Sequence, residues 1–224
     1  MPPSKRHLLT AEAQYERAGI GRLHARGGST FCSASLIAPD LVLTAAHCVA
    51  SAKQKTVWPA DRMIFAAGWR KGTAKAHSKV AAIAVLPEYL QGGELEYDLA
   101  LLRLADPMPQ EIPLERLAVT GLDRADLLSV LSYAKDRPHA LSRETGCKIL
   151  SRSRNTYVTN CEAISGISGA PVFKTGETGE EIAAVVSSKV HKDHPGGIGW
   201  ALVVPLTAQR IEDLHKILNS ASPS

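Results

Sequence analysis

The sequence predicts an all-β chain closed by one C-terminal helix. Three observations carry this. Short apolar stretches recur along the 224 residues, 17 Gly and 13 Pro punctuate them, and helical spacing of apolar residues is confined to the end. Residues 20–49 are broken by Arg26-Gly27-Gly28-Ser29 and by Ala38-Pro39-Asp40, the pattern of strand, turn, strand, turn, strand. The series continues through residues 80–86, 99–104, 127–133, 182–187 and 200–204, which is the signature of a sandwich or a pair of barrels. Residues 106–113 hold three prolines, so they cannot form a central strand and make the natural link between two domains. Behind Leu206, Thr207 stands as a cap before Ile211, Leu214, Ile217 and Leu218, an amphipathic helix that docks on the β body. The expected division is a segment 1–16, β domains 17–112 and 113–206, and a helix with its tail, 207–224.

Composition removes several classes. With 45% hydrophobic and 21% charged residues the chain has enough apolar side chains for a core and is not disordered as its main state. The longest stretch without a charged residue, 194–209, contains two prolines and three glycines, so no segment reads as a membrane-spanning helix. The net charge of +4 is scattered along the chain, which gives no reason to expect a nucleic-acid partner. Residues 1–7 bring positive charge with no apolar stretch after it, so no signal peptide is expected within this sequence.

Cys32, Cys48, Cys147 and Cys161 fall into two close pairs, neither of them Cys-x-x-Cys. Such spacing suits two local disulfides better than a zinc site, although four cysteines formally allow three connectivities. Disulfides imply an oxidising compartment, so the protein is expected to be secreted or periplasmic.

Three stretches carry chemistry: Leu43-Thr44-Ala45-Ala46-His47-Cys48, Tyr97-Asp98-Leu99-Ala100-Leu101-Leu102 and Gly166-Ile167-Ser168-Gly169-Ala170-Pro171. Each alone has an ordinary explanation as a packed histidine, a turn aspartate or a Gly-x-Ser-Gly turn. Together they supply what a serine nucleophile needs. A hydroxyl attacks poorly at neutral pH unless an imidazole accepts its proton, and the imidazole needs a buried carboxylate to fix its tautomer. The chain order is His, Asp, Ser, which differs from the subtilisin and α/β-hydrolase orders.

On these motifs the sequence resembles the trypsin-like serine proteases of the chymotrypsin family, particularly the shorter bacterial branch that includes glutamyl endopeptidases, over residues 20–218. The resemblance implies two antiparallel β-barrels with the active site between them, His47 and Asp98 from the first and Ser168 from the second. It implies a serine endopeptidase working through an acyl-enzyme, with the N–H groups of Gly166 and Ser168 as oxyanion hole. It implies protein or peptide substrates, and no cofactor or metal. Ile167 stands where many relatives carry the Asp that pairs with a new N-terminal amine, so the site is expected to be ordered without such insertion. Ala170 replaces the usual Gly, and Ile164 a usual Cys.

The same resemblance pairs Cys32 with Cys48 and Cys147 with Cys161, closing loops worth roughly 3 kcal/mol each. Six residues before the nucleophile, Glu162 lies near the floor of the specificity pocket, where an open acid favours Arg or Lys before the cut and an acid neutralised from within, for example by Lys189, is structural. The alternative, glutamyl-endopeptidase-like specificity, draws on Ala163, Ser187, Ser188 and Lys189. Residues 191–194, with two histidines, read as a solvated loop, 174–181 as an exposed turn, and Arg152 and Arg154 as surface. Two other classes remain open: a catalytically silent homologue kept as a binding module, and an esterase on an α/β-hydrolase fold.

Overall fold

The computed structural model describes residues 4–25, 28, 31–176, 179–190 and 199–220. The first half of the chain contributes β1 (His7–Leu8), β2 (Ile20–Ala25), β3 (Phe31–Ala38), β4 (Leu41–Thr44), the short β5 (Ala50–Ser51) and β6 (Thr56–Val57), β7 (Met63–Ala67), β8 (Ala76–Val85) and β9 (Ala100–Leu104), with short helices α1 (Ala11–Tyr15) and α2 (Pro87–Gly92). The second contributes β10 (Leu128–Ala134), β11 (Arg137–Cys147), β12 (Ile149–Ser153), β13 (Thr156–Ala163), β14 (Pro171–Gly176), β15 (Gly179–Val190), β16 (Gly199–Pro205) and the C-terminal helix α3 (Ala208–Ser220).

Strands β2-β3-β4-β9-β8-β7 close on themselves as a six-stranded antiparallel barrel. Closure removes both sheet edges and lets one face of every strand bury its apolar residues, Ile20, Leu23, Leu36, Leu43, Phe65, Leu101 and Leu102 among them. The second half is an eight-stranded antiparallel sheet in the order β1-β11-β10-β14-β15-β16-β13-β12. It curls until β11 meets β13. There the Cys147–Cys161 disulfide and a hydrogen bond from the Glu162 N–H to Glu144 Oε2 (2.8 Å) join the two strands. Among the described residues this half is therefore closed by a covalent bridge and a side chain rather than by a backbone ladder. Its core, including Leu128, Val130, Val172, Ala184, Val186 and Val203, lies inside the curl.

The N-terminal segment crosses between the halves. β1 pairs with β11 of the second sheet (His7 opposite Arg143, Leu8 opposite Ser142), and only after α1 does the chain enter the first barrel at β2. The proline-rich link is docked, with Met108 and Ile112 buried and the Met108 N–H donating to Pro39 O at 2.7 Å. The helix α3 starts where Thr207 Oγ1 accepts the Arg210 N–H at 3.3 Å. It buries Leu214 and Leu218 against β8 and β9 of the first barrel. Among the described residues no helix is long and apolar enough to cross a membrane.

Candidate active site

His47 sits in a single helical turn, Ala46–Cys48, directly after β4. The Cys32–Cys48 disulfide ties that turn to β3. Asp98 follows another such turn, Leu95–Tyr97, and leads into β9. Because Thr44 lies opposite Ala100 in the β4–β9 pair, the two turns emerge side by side. The His47 N–H donates to Asp98 Oδ1 at 2.8 Å, and His47 Nδ1 lies 2.8 Å from Oδ2. Asp98 is buried, whereas the imidazole is one-third exposed. A carboxylate held this way fixes Nδ1 as the protonated nitrogen and leaves Nε2 able to accept a proton.

Ser187, on β15, donates to the same Oδ2 at 2.5 Å. This substrate-pocket candidate therefore turns its hydroxyl onto the acid of the His–Asp pair.

Ser168 is half-buried in the loop between β13 and β14. Its carbonyl accepts the Ser33 N–H at 2.8 Å, and the Gly169 N–H donates to Val186 O. Gly169 has φ +76°, and a Cβ there would fall 2.1 Å from Thr44 Oγ1, 2.3 Å from Ser33 O and 3.2 Å from Ala45 N. Glycine is thus required for the serine loop to lie against the strand end that carries His47. Gly166, at φ +98°, turns the backbone against the β10–β11 hairpin, near Ala134 and Lys135. Ile167, Gly169 and Ala170 donate their N–H groups to Ile164 O, Val186 O and Ile167 O. Those of Gly166 and Ser168 donate to no acceptor among the described residues. Ile167 packs in the second core, where an ion pair has no place.

Ser33 is a connector that no motif announced. Its hydroxyl accepts the Tyr133 N–H (3.0 Å) and faces Gly166 O (3.3 Å), while its carbonyl accepts from Thr44 Oγ1 (2.9 Å). Arg210 of α3 was likewise unforeseen. It lies over the Tyr97 ring, 5.0 Å from its centre, and 3.7 Å from Glu96, bracing the turn before Asp98.

The Glu162 carboxylate is taken up by the N-terminal segment. Oε2 accepts from Ser4 Oγ (2.6 Å) and Arg6 Nε (3.1 Å), and Oε1 from the Lys5 N–H (2.8 Å). The Arg6 guanidinium, only 3% exposed, also forks onto Asp136 at 3.1 and 2.8 Å. Burial works against both carboxylates, but hydrogen bonds outweigh it, from Arg6 to Asp136 and from Ser4, Lys5 and Arg6 to Glu162; both pKa values fall below the ordinary range. Glu144, buried behind Glu162, moves the other way. Desolvation, aided by the Glu162 charge, pushes it up to about 7.

Beside the serine loop a cavity of about 320 Å³ is lined by Lys135, Asp136, Ile164, Ser165 and Lys189. Lys189 thus lines an opening next to residue 165, whereas Ala163 is buried and Ser188 half-buried on β15. A second cavity of about 180 Å³ is lined by His47 together with Phe31, Trp58 and Met63. Cys32, Cys48 and His47 gather donor atoms within 4.8 Å, but both sulfurs belong to the disulfide and neither is a thiolate that could hold a metal. The histidines at 191 and 194 lie outside the described residues.

A closed barrel and a curled antiparallel sheet, with a buried His–Asp pair beside a Gly-x-Ser-Gly loop, define the scaffold class of the chymotrypsin-like proteases. Residues 10–206 match the Trypsin family model, and the chain belongs to the trypsin family. Transmembrane protease serine 7 of Mus musculus and of Homo sapiens are each 34% identical over 87 residues, which is 38% of this chain and 10% of those proteins. Among solved structures, a Glu endopeptidase superposes with TM-score 0.81 at 16% identity, covering 98% of this chain and 99% of that one. A thermostable serine protease from an extremophilic microorganism gives 0.75 at 18% identity (92% and 99%). Protease Anisep from Arthrobacter nicotinovorans gives 0.77 at 16% (96% and 100%).

Proposed function

We propose that the protein is a serine endopeptidase. Ser168 Oγ attacks the substrate carbonyl as His47 Nε2 takes its proton, and Asp98 holds the imidazole and stabilises the imidazolium. The N–H groups of Gly166 and Ser168 receive the developing oxyanion, and His47 then protonates the leaving amine to give the acyl-enzyme. Water, activated by the same imidazole, releases the acid product. The observation that carries this reading is the double contact of His47 with the buried Asp98, at 2.8 Å each, beside a serine loop pressed on the same strand end.

For the residue before the cut, the geometry favours an acidic side chain over Arg or Lys. The Arg/Lys preference needs an open Glu162, and that carboxylate is taken up by Ser4, Lys5 and Arg6. Among the described residues the cavity beside Ser165 is lined by Lys135, Lys189 and Asp136, and Asp136 is paired with Arg6. The disulfides support a place outside the reducing cytosol, secreted or periplasmic.

The test combines a fluorophosphonate probe with peptides that differ only before the cut. Labelling of the wild type but not of Ser168→Ala, with faster cleavage after Glu than after Lys, is the expected result. A wild type that takes up no probe and cleaves nothing would return the chain to the class of silent binding homologues.

A further inference from the structure

Asp98 occupies the middle of an inverse γ-turn. Its φ and ψ are −75° and 61°, and the Leu99 N–H donates across it to Tyr97 O at 2.7 Å. The direction of its carboxylate is therefore set by the backbone that precedes it. That backbone, Leu95–Tyr97, is a single helical turn without a side-chain cap, closed by bonds from the Tyr97 N–H to Glu94 O (3.0 Å) and from the Asp98 N–H to Leu95 O (3.2 Å). A turn this short does not hold its own geometry in water. Leu95 is 45% exposed, and a cavity of about 420 Å³ runs along the turn, lined on its far side by Ser153, Arg154, Thr156 and Leu202.

The support comes from two distant elements that meet at Glu96. Arg210, on α3, is 8% exposed; its guanidinium donates to Pro205 O (3.3 Å), lies over the Tyr97 ring and stands 3.7 Å from Glu96 Oε2. Asn155, at the tip of the β12–β13 hairpin, donates to the same Oε2 at 2.7 Å. Glu88, at the start of α2, adds negative charge that favours the guanidinium here. One carboxylate thus ties the turn before Asp98 to the C-terminal helix and to the second sheet.

We infer that Arg210 is a positioning residue for catalysis: with Asn155 it clamps Glu96 and Tyr97, and so fixes the turn that aims Asp98 at His47. The inference rests on the protease reading and adds to it a role for the C-terminal helix. The effect passes through geometry, to which the reacting groups are sensitive on the scale of 1 Å or less.

The experiment compares wild type, Arg210→Gln, Arg210→Lys and Asn155→Ala in kcat and KM on the better cleaved of the Glu and Lys peptides, and in the pH dependence of fluorophosphonate labelling. In Arg210→Gln, kcat is expected to fall about fivefold or more, short of the roughly hundredfold that a 1 Å misplacement costs, with KM near that of the wild type. Arg210→Lys keeps a cation for Glu96 and the Tyr97 ring and is expected to recover most of the loss. The acid-side pKa of labelling should fall in Arg210→Gln, because an imidazolium with a loosely held Asp98 is less stabilised. Loss of the Arg210 charge by itself would raise that pKa. Asn155→Ala, at an exposed position, is expected to move kcat and the labelling profile the same way by smaller amounts, and it carries the test if Arg210→Gln does not fold. A lower Tm with kcat and profile unchanged, a change confined to KM, or an acid-side pKa that rises would make Arg210 a structural residue only and overturn the inference. Failure of the underlying protease reading is seen separately, as a wild type that neither cleaves nor takes up the fluorophosphonate.

Discussion

Ser187 Oγ donates to Asp98 Oδ2, the same oxygen that faces His47 Nδ1, so a strand of the second sheet holds the acid of the first barrel's His–Asp pair. The buried carboxylate thereby takes three hydrogen bonds, two from His47 and one from Ser187, which offsets the cost of removing its charge from water. Cutting one of them should loosen the pair without abolishing it. Ser187→Ala is expected to lower kcat by about tenfold or more, as loss of a hydrogen bond to a charged group costs roughly 1.5–3 kcal/mol. KM should change little, because the Ser187 hydroxyl is buried on Asp98 and the residue is 1% exposed. A drop confined to KM would instead restore Ser187 to the substrate pocket.

A second prediction concerns Ser33, which joins the halves of the molecule at the serine loop. Its hydroxyl is the acceptor of the buried Tyr133 N–H, at 3.0 Å. Ser33→Ala leaves that donor without its partner, at a cost of about 1–3 kcal/mol. For a chain of this size each kcal/mol lowers Tm by roughly 2–4 °C. Calorimetry should show a fall in that range, and a variant as stable as the wild type would mean that Tyr133 finds another acceptor.

What the sequence made legible was whatever depends on local pattern. Apolar runs between turns marked the strands, and Thr207 with its spaced Ile and Leu residues marked α3 and its cap. The cysteine pairs matched the two disulfides, Cys32–Cys48 and Cys147–Cys161. What stayed hidden depends on partners distant in the chain. The fate of Glu162 is decided by Arg6, 156 residues away, and that of Ser187 by Asp98, 89 residues away. No periodicity encodes such a meeting. The curled second sheet was hidden for the same reason: β1 joins it from the N-terminus, and β11 meets β13 through a disulfide and the Glu144 side chain.

That closure gives the third prediction. The Cys147–Cys161 bridge spans 14 residues and constrains the unfolded chain by roughly 3 kcal/mol in the loop-entropy picture. Replacing both cysteines by Ser is expected to lower Tm by roughly 6–12 °C. Because β13 leads directly to the Ser168 loop, catalytic activity should also be lost at a lower temperature than in the wild type. Thermal inactivation followed beside unfolding would check both, and a Tm unchanged by the double replacement would show that the Glu144 hydrogen bond and the core alone hold β11 to β13.

Glu144 supplies a pH dependence whose direction is fixed by its surroundings. Burial, with the Glu162 charge close by, raises its pKa from an ordinary 4.5 to about 7, so the folded chain holds its proton more tightly than the unfolded chain does. The stabilisation is complete below about pH 4.5 and is lost as the pH rises through 7. Asp136 and Glu162, whose values are lowered, act oppositely: they stabilise above the ordinary carboxylate range and cease to do so as the pH falls below it. The window from about pH 4.5 to 7 therefore belongs to Glu144 among these three. Glu144→Gln can keep an oxygen acceptor for the Glu162 N–H while removing the titration. Urea midpoints taken for both proteins across pH 5 to 8 should show the wild type losing stability relative to the variant as the pH rises, by roughly 1–2 kcal/mol. Parallel curves would mean that Glu144 ionises in the folded chain as readily as in the unfolded one. A difference that grew toward acid pH would require a carboxylate stabilised by its partners, contrary to the burial and the neighbouring Glu162 charge that define its place.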